Sequence, residues 1–264
     1  MAQCVFKRSE KKYKLNQQQY EAFMKILNRY MTLDQYGLHT ICNLYLDTDD
    51  FRLIRRSLEK PIYKEKIRLR SYGVPNENSP VFLELKKKYK GVVYKRRVQM
   101  TLNEANTYLS TGTVPFADKQ VMKEIDYFMQ YYEKPVPKVF IAYDRMAYYT
   151  DEDENFRITF DTNIRYRYDD VRLESGDRGE KILPDDIYLM EVKAAGSLPR
   201  WIIDAFNELK IYPTSFSKYG TIYQETCEKQ RSHRIAYAAQ KYNRWSALAR
   251  ELTSQSYSMA KVSS

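Results

Sequence analysis

The sequence predicts an α+β fold: an eight-stranded antiparallel β-barrel that forms a tunnel, with helices packed outside it. Eight segments alternate apolar and polar residues with the period of a β-strand. Short connections separate most of these segments, which favours antiparallel neighbours. Because an antiparallel sheet of this size removes its exposed edges best by closing on itself, we expect a barrel.

The first half of the chain carries five of the predicted strands and two helices. Asn16 follows the first strand and can cap a helix together with Gln19, three residues later. A second helix is predicted at 49–60. Gly73 and Gly91 punctuate the turns between the last three strands of this half. The predicted strands cover residues 4–15, 39–48, 62–72, 80–89 and 92–101.

The second half carries the other three strands. Two helices precede them, and a polar segment with charges of both signs, residues 167–186, is predicted to be a long mobile loop that could gate one mouth of the tunnel. Strands are predicted at 136–149, 155–166 and 187–193, and helices at 103–110, 118–133, 199–210 and 217–228.

Length and composition favour one domain with a short tail. The chain has 264 residues, of which 43% are hydrophobic and 30% charged, so it can bury a core. We predict a domain over residues 1–228 and a basic tail over 229–264. A solvated, disordered terminus is the favoured interpretation of this tail, and an amphipathic helix over 235–252 is the alternative.

Several function classes are excluded or disfavoured by absent motifs. The three cysteines are widely spaced, which argues against a disulfide framework or a zinc site and favours a reducing cytoplasm. No run approaches the roughly 18 apolar residues of a transmembrane helix. The sequence contains no nucleophile elbow, no Walker A loop and no Rossmann fingerprint.

Charge is distributed unevenly over the predicted strands. Lys and Arg number 44 against 34 Asp and Glu, a formal net charge of +10, which suggests a polyanionic partner. Residues two apart share a face of a strand, and on six strands one face is charged and mostly basic. These faces carry Arg8, Glu10, Lys12 and Lys14; Lys64, Lys66, Arg68 and Arg70; Glu84, Lys86 and Lys88; Lys95 and Arg97; Arg157, Thr159 and Asp161; and Glu191 and Lys193.

The charged faces would point into the barrel if the helices pack outside it. Such a lumen would be unstable when empty, but Lys and Arg side chains neutralise phosphoryl oxygens. The interspersed glutamates, Glu10, Glu84 and Glu191, could hold a divalent cation that bridges phosphates. The faces therefore predict a tunnel that binds a chain of phosphates.

An ordered set of motifs resembles the VTC domain, the polyphosphate polymerase domain of the triphosphate tunnel metalloenzyme (CYTH-like) superfamily. The resemblance runs from about residue 6 to 224. Its motifs are RSEKKYKL (8–15), NLYLDTDDF (43–51), KIRLRSYG (66–73), FLELKKK (82–88), YKRRV (94–98), YDRMAY (143–148), FRITFD (156–161), LMEVK (189–193), LPRWI (198–202) and SFSKYG (215–220).

The resemblance implies a tunnel that binds ATP or another nucleoside triphosphate and inorganic polyphosphate, with Mn²⁺ or Mg²⁺. By motif, it implies that Glu191 binds the metal and that Tyr143 and Ser217 make further polar contacts. Arg145 and Lys218 rest on the resemblance alone. The phosphate-binding residues it implies are Lys12, Arg68, Arg70, Lys86, Lys95, Arg145, Arg157 and Lys218. Of these, we predict that Arg68, Arg70, Lys86, Arg145 and Arg157 are catalytic. Strand faces add Lys66, Arg97 and Lys193.

One departure bears on the reaction. Hydrolases of the superfamily typically carry Glu-x-Glu-x-Lys on the first strand, whereas this chain has Arg8, Glu10 and Lys12 in that pattern. Fewer carboxylates argue against water activation and favour transfer to phosphate. We therefore predict a polyphosphate polymerase, an ATP:polyphosphate phosphotransferase. A tunnel triphosphatase or polyphosphatase, and a non-enzymatic sensor of polyphosphate or inositol phosphates, remain alternatives. Specific nucleic-acid binding is disfavoured by the lack of an RNP-like aromatic motif.

Overall fold

The computed structural model describes residues 9–116, 119–153, 155–232 and 234. The chain forms two compact units, residues 1–220 and 221–264. The first contains every strand in the described part of the chain. In the second, residues 221–232 are helical. The predicted boundary at residue 228 stays a prediction, and the predicted tail helix at 235–252 lies outside the described residues, as does Arg8.

Each of the eight predicted strands corresponds to a long strand of the structure. Three strands of only two residues, which the alternation did not predict, complete the sheet. In chain order the strands are β1 (Ser9–Asn16), β2 (Thr32–Leu33), β3 (His39–Asp47), β4 (Tyr63–Tyr72), β5 (Pro80–Tyr89), β6 (Val92–Thr101), β7 (Val136–Tyr149), β8 (Arg157–Arg167), β9 (Glu180–Lys181), β10 (Ile187–Ala194) and β11 (Pro213–Thr214).

The strands form one antiparallel sheet of 11 strands that is not closed. Its order is β11-β1-β10-β8-β7-β3-β4-β5-β6, with β2 on β7 and β9 on β8. The prediction of a closed eight-stranded barrel is therefore not confirmed: in the described residues no ladder joins β6 to β1. The physical reason is that β11 occupies the outer edge of β1, pairing Lys12 with Thr214 and Tyr13 with Pro213.

The sheet nevertheless curls until its two ends meet through side chains. Lys86 Nζ on β5 lies 3.6 Å from Glu10 Oε2 on β1, although the two strands lie near opposite ends of the strand order. A flat sheet could not bring these atoms together, because neighbouring strands are about 4.8 Å apart. The inner, concave face therefore encloses a space lined by charged side chains.

Helices cover the apolar faces of the strands. They are α1 (Gln17–Leu27), α2 (Arg52–Leu58), α3 (Leu102–Thr111), α4 (Gln120–Tyr131) and α5 (Arg200–Glu208); residues 218–220 are also helical. The predicted capping box of α1 is present: Gln19 N–H donates to Asn16 Oδ1, and Asn16 N–H donates to Gln19 Oε1. None of the helices in the described ranges is long and apolar enough to cross a membrane.

Two apolar clusters hold the helices on the sheet. One joins α3 and α4 to β3–β6 and includes the buried side chains of Phe128, Leu69 and Leu83. The other joins α1 and α5 to β1, β8 and β10, with Phe23 and Phe160 fully buried. Because side chains alternate along a strand, burying these faces under helices turns the charged faces to the concave side.

The segment predicted to be a mobile loop is tied to β8. The Arg167 guanidinium lies 3.6 Å from the centre of the Phe140 ring. It donates hydrogen bonds to the carbonyl oxygens of Asp170, Arg172, Gly176 and Arg178, at 2.7–3.1 Å. The structure therefore shows an organised loop where the polar composition predicted a mobile one.

Candidate active site

The largest cluster on the inner face surrounds Glu84, which is 2% exposed. Its carboxylate lies 2.7 Å from Arg68 Nη2 and 2.7 Å from Lys95 Nζ, with Arg97 Nε at 3.1 Å and Arg70 Nε at 3.9 Å. Burial alone would raise the pKa of Glu84, but Arg68, Arg70 and Lys95 outweigh it and hold that pKa well below its usual range. Four cations thus share one carboxylate.

This arrangement argues against the predicted role of Glu84 as a metal ligand. A divalent cation at Glu84 would sit among Arg68, Lys95 and Arg97, whose positive charges repel it. The carboxylate instead fixes the positions of these side chains. Burial lowers the pKa of Lys95 to about 8, although Glu84 opposes this. An incoming anion would raise that pKa and so favour the protonated lysine.

Asp161 anchors a second cluster with Arg145 and Lys218. Arg145 donates two hydrogen bonds to its carboxylate, at 2.6 and 2.8 Å, and Lys218 Nζ donates a third. Despite burial, Arg145 and Lys218 hold the pKa of Asp161 well below its usual value. The structure thus places both residues that rested on the resemblance alone on the inner face. Asp161 itself was on a predicted charged face, but no motif marked it as functional.

Tyr143 connects these two clusters. Its hydroxyl accepts a hydrogen bond of 3.0 Å from Arg70 Nη2. Lys218 Nζ lies 4.2 Å and Arg145 Cζ 5.1 Å from its ring centre. Burial raises the pKa of Tyr143, but Arg70, Arg145 and Lys218 outweigh it and lower the pKa to about 8. The phenol therefore lies at the centre of strong positive potential.

Glu10 and Glu191 form a third cluster across β1 and β10. The register places Lys12 opposite Glu191 and Glu10 opposite Lys193. Lys12 Nζ lies 3.4 Å from Glu10 and 3.9 Å from Glu191, and Lys193 Nζ lies 2.8 Å from Glu191. Burial and Glu191 raise the pKa of Glu10, but Lys86, Lys12 and Lys193 outweigh them. Likewise Lys193 and Lys12 outweigh burial and lower the pKa of Glu191 to about 2.

The carboxylates of Glu10 and Glu191 are enough for a divalent cation only if a substrate supplies further oxygen ligands. Both carboxylates are ionised at neutral pH and face the same space, as oxygen ligands of Mg²⁺ or Mn²⁺ must. The described ranges hold no group of three or more Asp, Glu, His or Cys side chains placed around one metal. A cation here would therefore be held by the two glutamates together with phosphate oxygens of a substrate, an arrangement common for Mg²⁺.

Lysines face each other along β4, β5 and β6. Lys64 pairs with Lys88, Lys66 with Lys86, and Lys86 with Lys95. Like charges directly opposite destabilise a sheet. Lys66 Nζ donates to Ser217 Oγ at 3.0 Å, but burial and then Lys64, Lys12 and Lys86 lower its pKa to about 7. We call this set the lysine ladder (Lys64, Lys66, Lys86, Lys88 and Lys95); within it, Lys86 also lies 3.6 Å from Glu10 and Lys95 2.7 Å from Glu84.

The structure does not bring every predicted residue into these clusters. Arg157 is the first residue of β8; its side chain is half exposed and pairs with Asp34 at 2.8 Å. Two neighbours of the Arg68–Arg70 motif were not predicted: Tyr45 OH accepts from Arg68 Nη1 at 3.1 Å, and Asn43 Oδ1 from Arg70 Nε at 2.9 Å. The sequence did contain a signal for both residues. Polar and apolar residues alternate over 43–47, which places Asn43 and Tyr45 on one face of the strand.

Comparison with known proteins identifies the family. The model of the VTC domain matches residues 7–226. This chain belongs to the VTC domain family. The family is one of triphosphate tunnel enzymes, and tunnels of this kind bind nucleoside triphosphates or polyphosphates with a divalent cation. A search of the curated proteins gives no match.

Solved structures are similar to this VTC domain at low identity, and the first of them has a TM-score that shows a shared fold. A candidate adenylate cyclase from Bacillus halodurans is 14% identical with a TM-score of 0.52, covering 81% of this chain and 96% of its own. A candidate adenylyl cyclase from Hippeastrum, for which a dominant triphosphatase activity is described, is 12% identical with a TM-score of 0.46, covering 82% and 95%. A candidate adenylate cyclase from Vibrio parahaemolyticus is 10% identical with a TM-score of 0.43, covering 84% and 99%.

Proposed function

We propose that this VTC domain is a polyphosphate polymerase, which transfers the γ-phosphate of ATP to the end of an inorganic polyphosphate chain. The observation that carries the proposal is the length of the basic track, a name we give to the three clusters around Glu84, Asp161 and Glu191 together with the lysine ladder. The clusters at Glu84, Asp161 and Glu191 continue into the lysine ladder, where Lys64 and Lys88 extend beyond Lys66 and Lys86 along β4 and β5. A track longer than these clusters suits a chain of phosphates better than a single triphosphate.

The charge balance of the track supports a bound polyanion. Glu84 has four cations, Asp161 has two, and Glu10 and Glu191 share Lys12, Lys86 and Lys193. The carboxylates are fewer than the cations in each cluster. The remaining positive charge is partly buried, where an unneutralised charge is costly. Phosphate oxygens would supply the missing negative charge and accept hydrogen bonds from the Arg and Lys side chains.

The reaction requires positioning and charge stabilisation rather than a strong base. The terminal phosphate of a polyphosphate chain is already ionised at neutral pH, so no group has to remove a proton from it. Phosphoryl transfer is catalysed mainly by alignment and by neutralising the equatorial oxygens. Arg68, Arg70 and Arg145 supply fixed guanidinium groups for this. A divalent cation at Glu10 and Glu191, when bound, would neutralise phosphate charge and orient the transferred group.

The two glutamates are poor candidates for activating water directly. A general base works best when its pKa lies near the working pH. Lysines 12 and 193 lower the pKa of Glu191 to about 2, so its carboxylate is a weak base. This observation favours phosphate over water as the acceptor. Release of orthophosphate without chain growth would instead favour a tunnel triphosphatase.

Two arginine variants test the assignment. Arg68→Ala and Arg70→Ala remove guanidinium groups from Glu84 and should abolish polyphosphate synthesis from ATP, with thermal unfolding confirming that each variant folds. Arg178→Ala is the matched control, because Arg178 is 57% exposed and pairs with Asp169 on the loop. Synthesis at the wild-type rate in both Arg68→Ala and Arg70→Ala would contradict the proposal.

A further inference from the structure

An aromatic rim lies where β3, β4 and β5 meet at one end of the inner face. It consists of Tyr36, His39, Tyr72 and Phe82. The ring centres are 6.1 Å apart for Tyr36 and His39, 6.2 Å for His39 and Tyr72, and 5.6 Å for Tyr72 and Phe82. Tyr36 is 68% and Tyr72 53% exposed. Exposed aromatic rings in a contiguous group are typical of a surface that binds something.

Arg97 joins this rim to the Glu84 cluster. Its guanidinium carbon lies 3.8 Å from the ring centre of Phe82, and its Nη2 donates to Tyr72 OH at 3.0 Å. The same side chain pairs with Glu84 through Nε at 3.1 Å. A ligand whose phosphates contact Arg97 would therefore carry its next chemical group directly beside Tyr72 and Phe82.

We propose that the aromatic rim stacks the nucleobase of a nucleoside triphosphate whose phosphates lie in the Glu84 cluster. This inference rests on the proposed function, in which ATP is the phosphate donor. Exposed rings and a guanidinium plane both offer faces to a base, and stacking of this kind is favourable for any base. The rim faces the end of the track away from Lys64 and Lys88, which leaves the lysine ladder to the inorganic chain.

The rim's chemistry also sets the expected selectivity. The Tyr72 hydroxyl already accepts a hydrogen bond from Arg97, and His39 Nδ1 already contacts the Gly37 carbonyl. Stacking is therefore the main interaction that the rim offers, and stacking discriminates weakly between bases. ATP and GTP should bind with affinities that agree within about fivefold.

The test compares ATP with inorganic tripolyphosphate, which has the same three phosphates but no base. Titration calorimetry measures both ligands on wild type, Tyr36→Ala, Tyr72→Ala and the control Tyr127→Ala. Tyr127 lies on α4 and is 68% exposed, as is Tyr36. Tyr72→Ala should weaken ATP about tenfold, Tyr36→Ala less, and both should leave tripolyphosphate within about twofold, while the control changes neither.

The possible outcomes test base stacking at the rim separately from the proposed reaction. Unchanged ATP affinity in both rim variants would overturn the inference, as would an equal loss for both ligands, which places the effect on the phosphates. Wild-type protein that binds tripolyphosphate but no ATP would also overturn it. The rim variants could lose affinity for ATP but not for tripolyphosphate while the wild-type protein makes no polyphosphate. That result would support base stacking at the rim and reject the proposed polymerase activity.

Discussion

At the scale of single residues, the inner face keeps its buried charges in two different ways. Glu84 is surrounded by cations and is stabilised by them without a ligand. Lys66 has a hydroxyl as its hydrogen-bond acceptor and has lysines as neighbours. Glu84 organises the site by holding its cations in place. The charge on Lys66, in contrast, needs a bound anion to stabilise it. Their variants should therefore change stability in opposite directions.

Glu84→Gln should destabilise the protein without ligand by about 3 kcal/mol, because breaking a buried ion pair leaves its cations uncompensated. Added tripolyphosphate should recover part of this loss by supplying negative charge. Urea unfolding with and without the ligand measures both effects. Glu124→Gln is the control: it breaks the half-exposed pair with Arg96 and should cost about 1 kcal/mol or less. Equal costs in the two variants would contradict the assigned role of Glu84.

Lys66 should take up a proton when phosphates bind. Its pKa is lowered to about 7 in the free protein, so at pH 8 the folded chain lacks a proton that the unfolded chain, with an ordinary lysine pKa, retains. A bound polyanion raises the pKa again, so binding should weaken as the pH rises above about 7. Calorimetry at pH 8 in buffers of different ionisation enthalpy measures the uptake.

Lys66→Met is the variant for this measurement. It should reduce proton uptake without eliminating it, because the pKa of Lys95 is also lowered, to about 8. It should also stabilise the free protein at pH 6, where wild type holds a partly buried charge among other lysines, since an apolar side chain removes that charge. The same proton uptake in wild type and Lys66→Met would show that Lys66 does not titrate on binding.

At the scale of secondary-structure elements, the alternation of apolar and polar residues predicts the structure better than the composition of turns and loops does. A strand with one charged face has only one way to bury its apolar side chains, so the residues facing inward on β4, β5 and β6 followed from their positions. Arg145 did not, because it shares its strand face with Tyr143 and Ile141 and alternation marks that face as core. The edge that β11 takes on β1 could not be predicted either, because two-residue strands leave no periodic signal.

The loop of residues 167–186 was predicted to be mobile because its composition is polar, but composition does not show that Arg167 reaches back to its carbonyl groups. Arg167→Ala should increase amide hydrogen exchange across residues 169–179 and cost about 1 kcal/mol, since it removes four hydrogen bonds to partly buried carbonyl oxygens that water can in part replace. Arg172→Ala, which alters an exposed side chain of the same loop, is the control. Equal exchange in wild type and Arg167→Ala would show that the Arg167 contacts do not order the loop.

At the scale of the whole molecule, one curved sheet separates two environments. Helices bury the apolar faces, and the concave face collects cations in excess of carboxylates. The protein without ligand therefore carries repulsion that a polyanion would relieve. Tripolyphosphate should raise the midpoint of thermal unfolding by several degrees, as ligand binding to the folded state requires. Orthophosphate at equal ionic strength is the control, and equal shifts would indicate ordinary screening.

In the proposed reaction phosphate, rather than water, accepts the γ-phosphate of ATP. The most direct test is to incubate the purified protein with γ-labelled ATP and Mn²⁺, with Mg²⁺ in parallel, and to resolve the products on a polyacrylamide gel. A polymerase should give a ladder of long labelled chains together with ADP, and Arg70→Ala should give no ladder. Labelled orthophosphate as the sole product would rule out the polymerase and identify a triphosphatase.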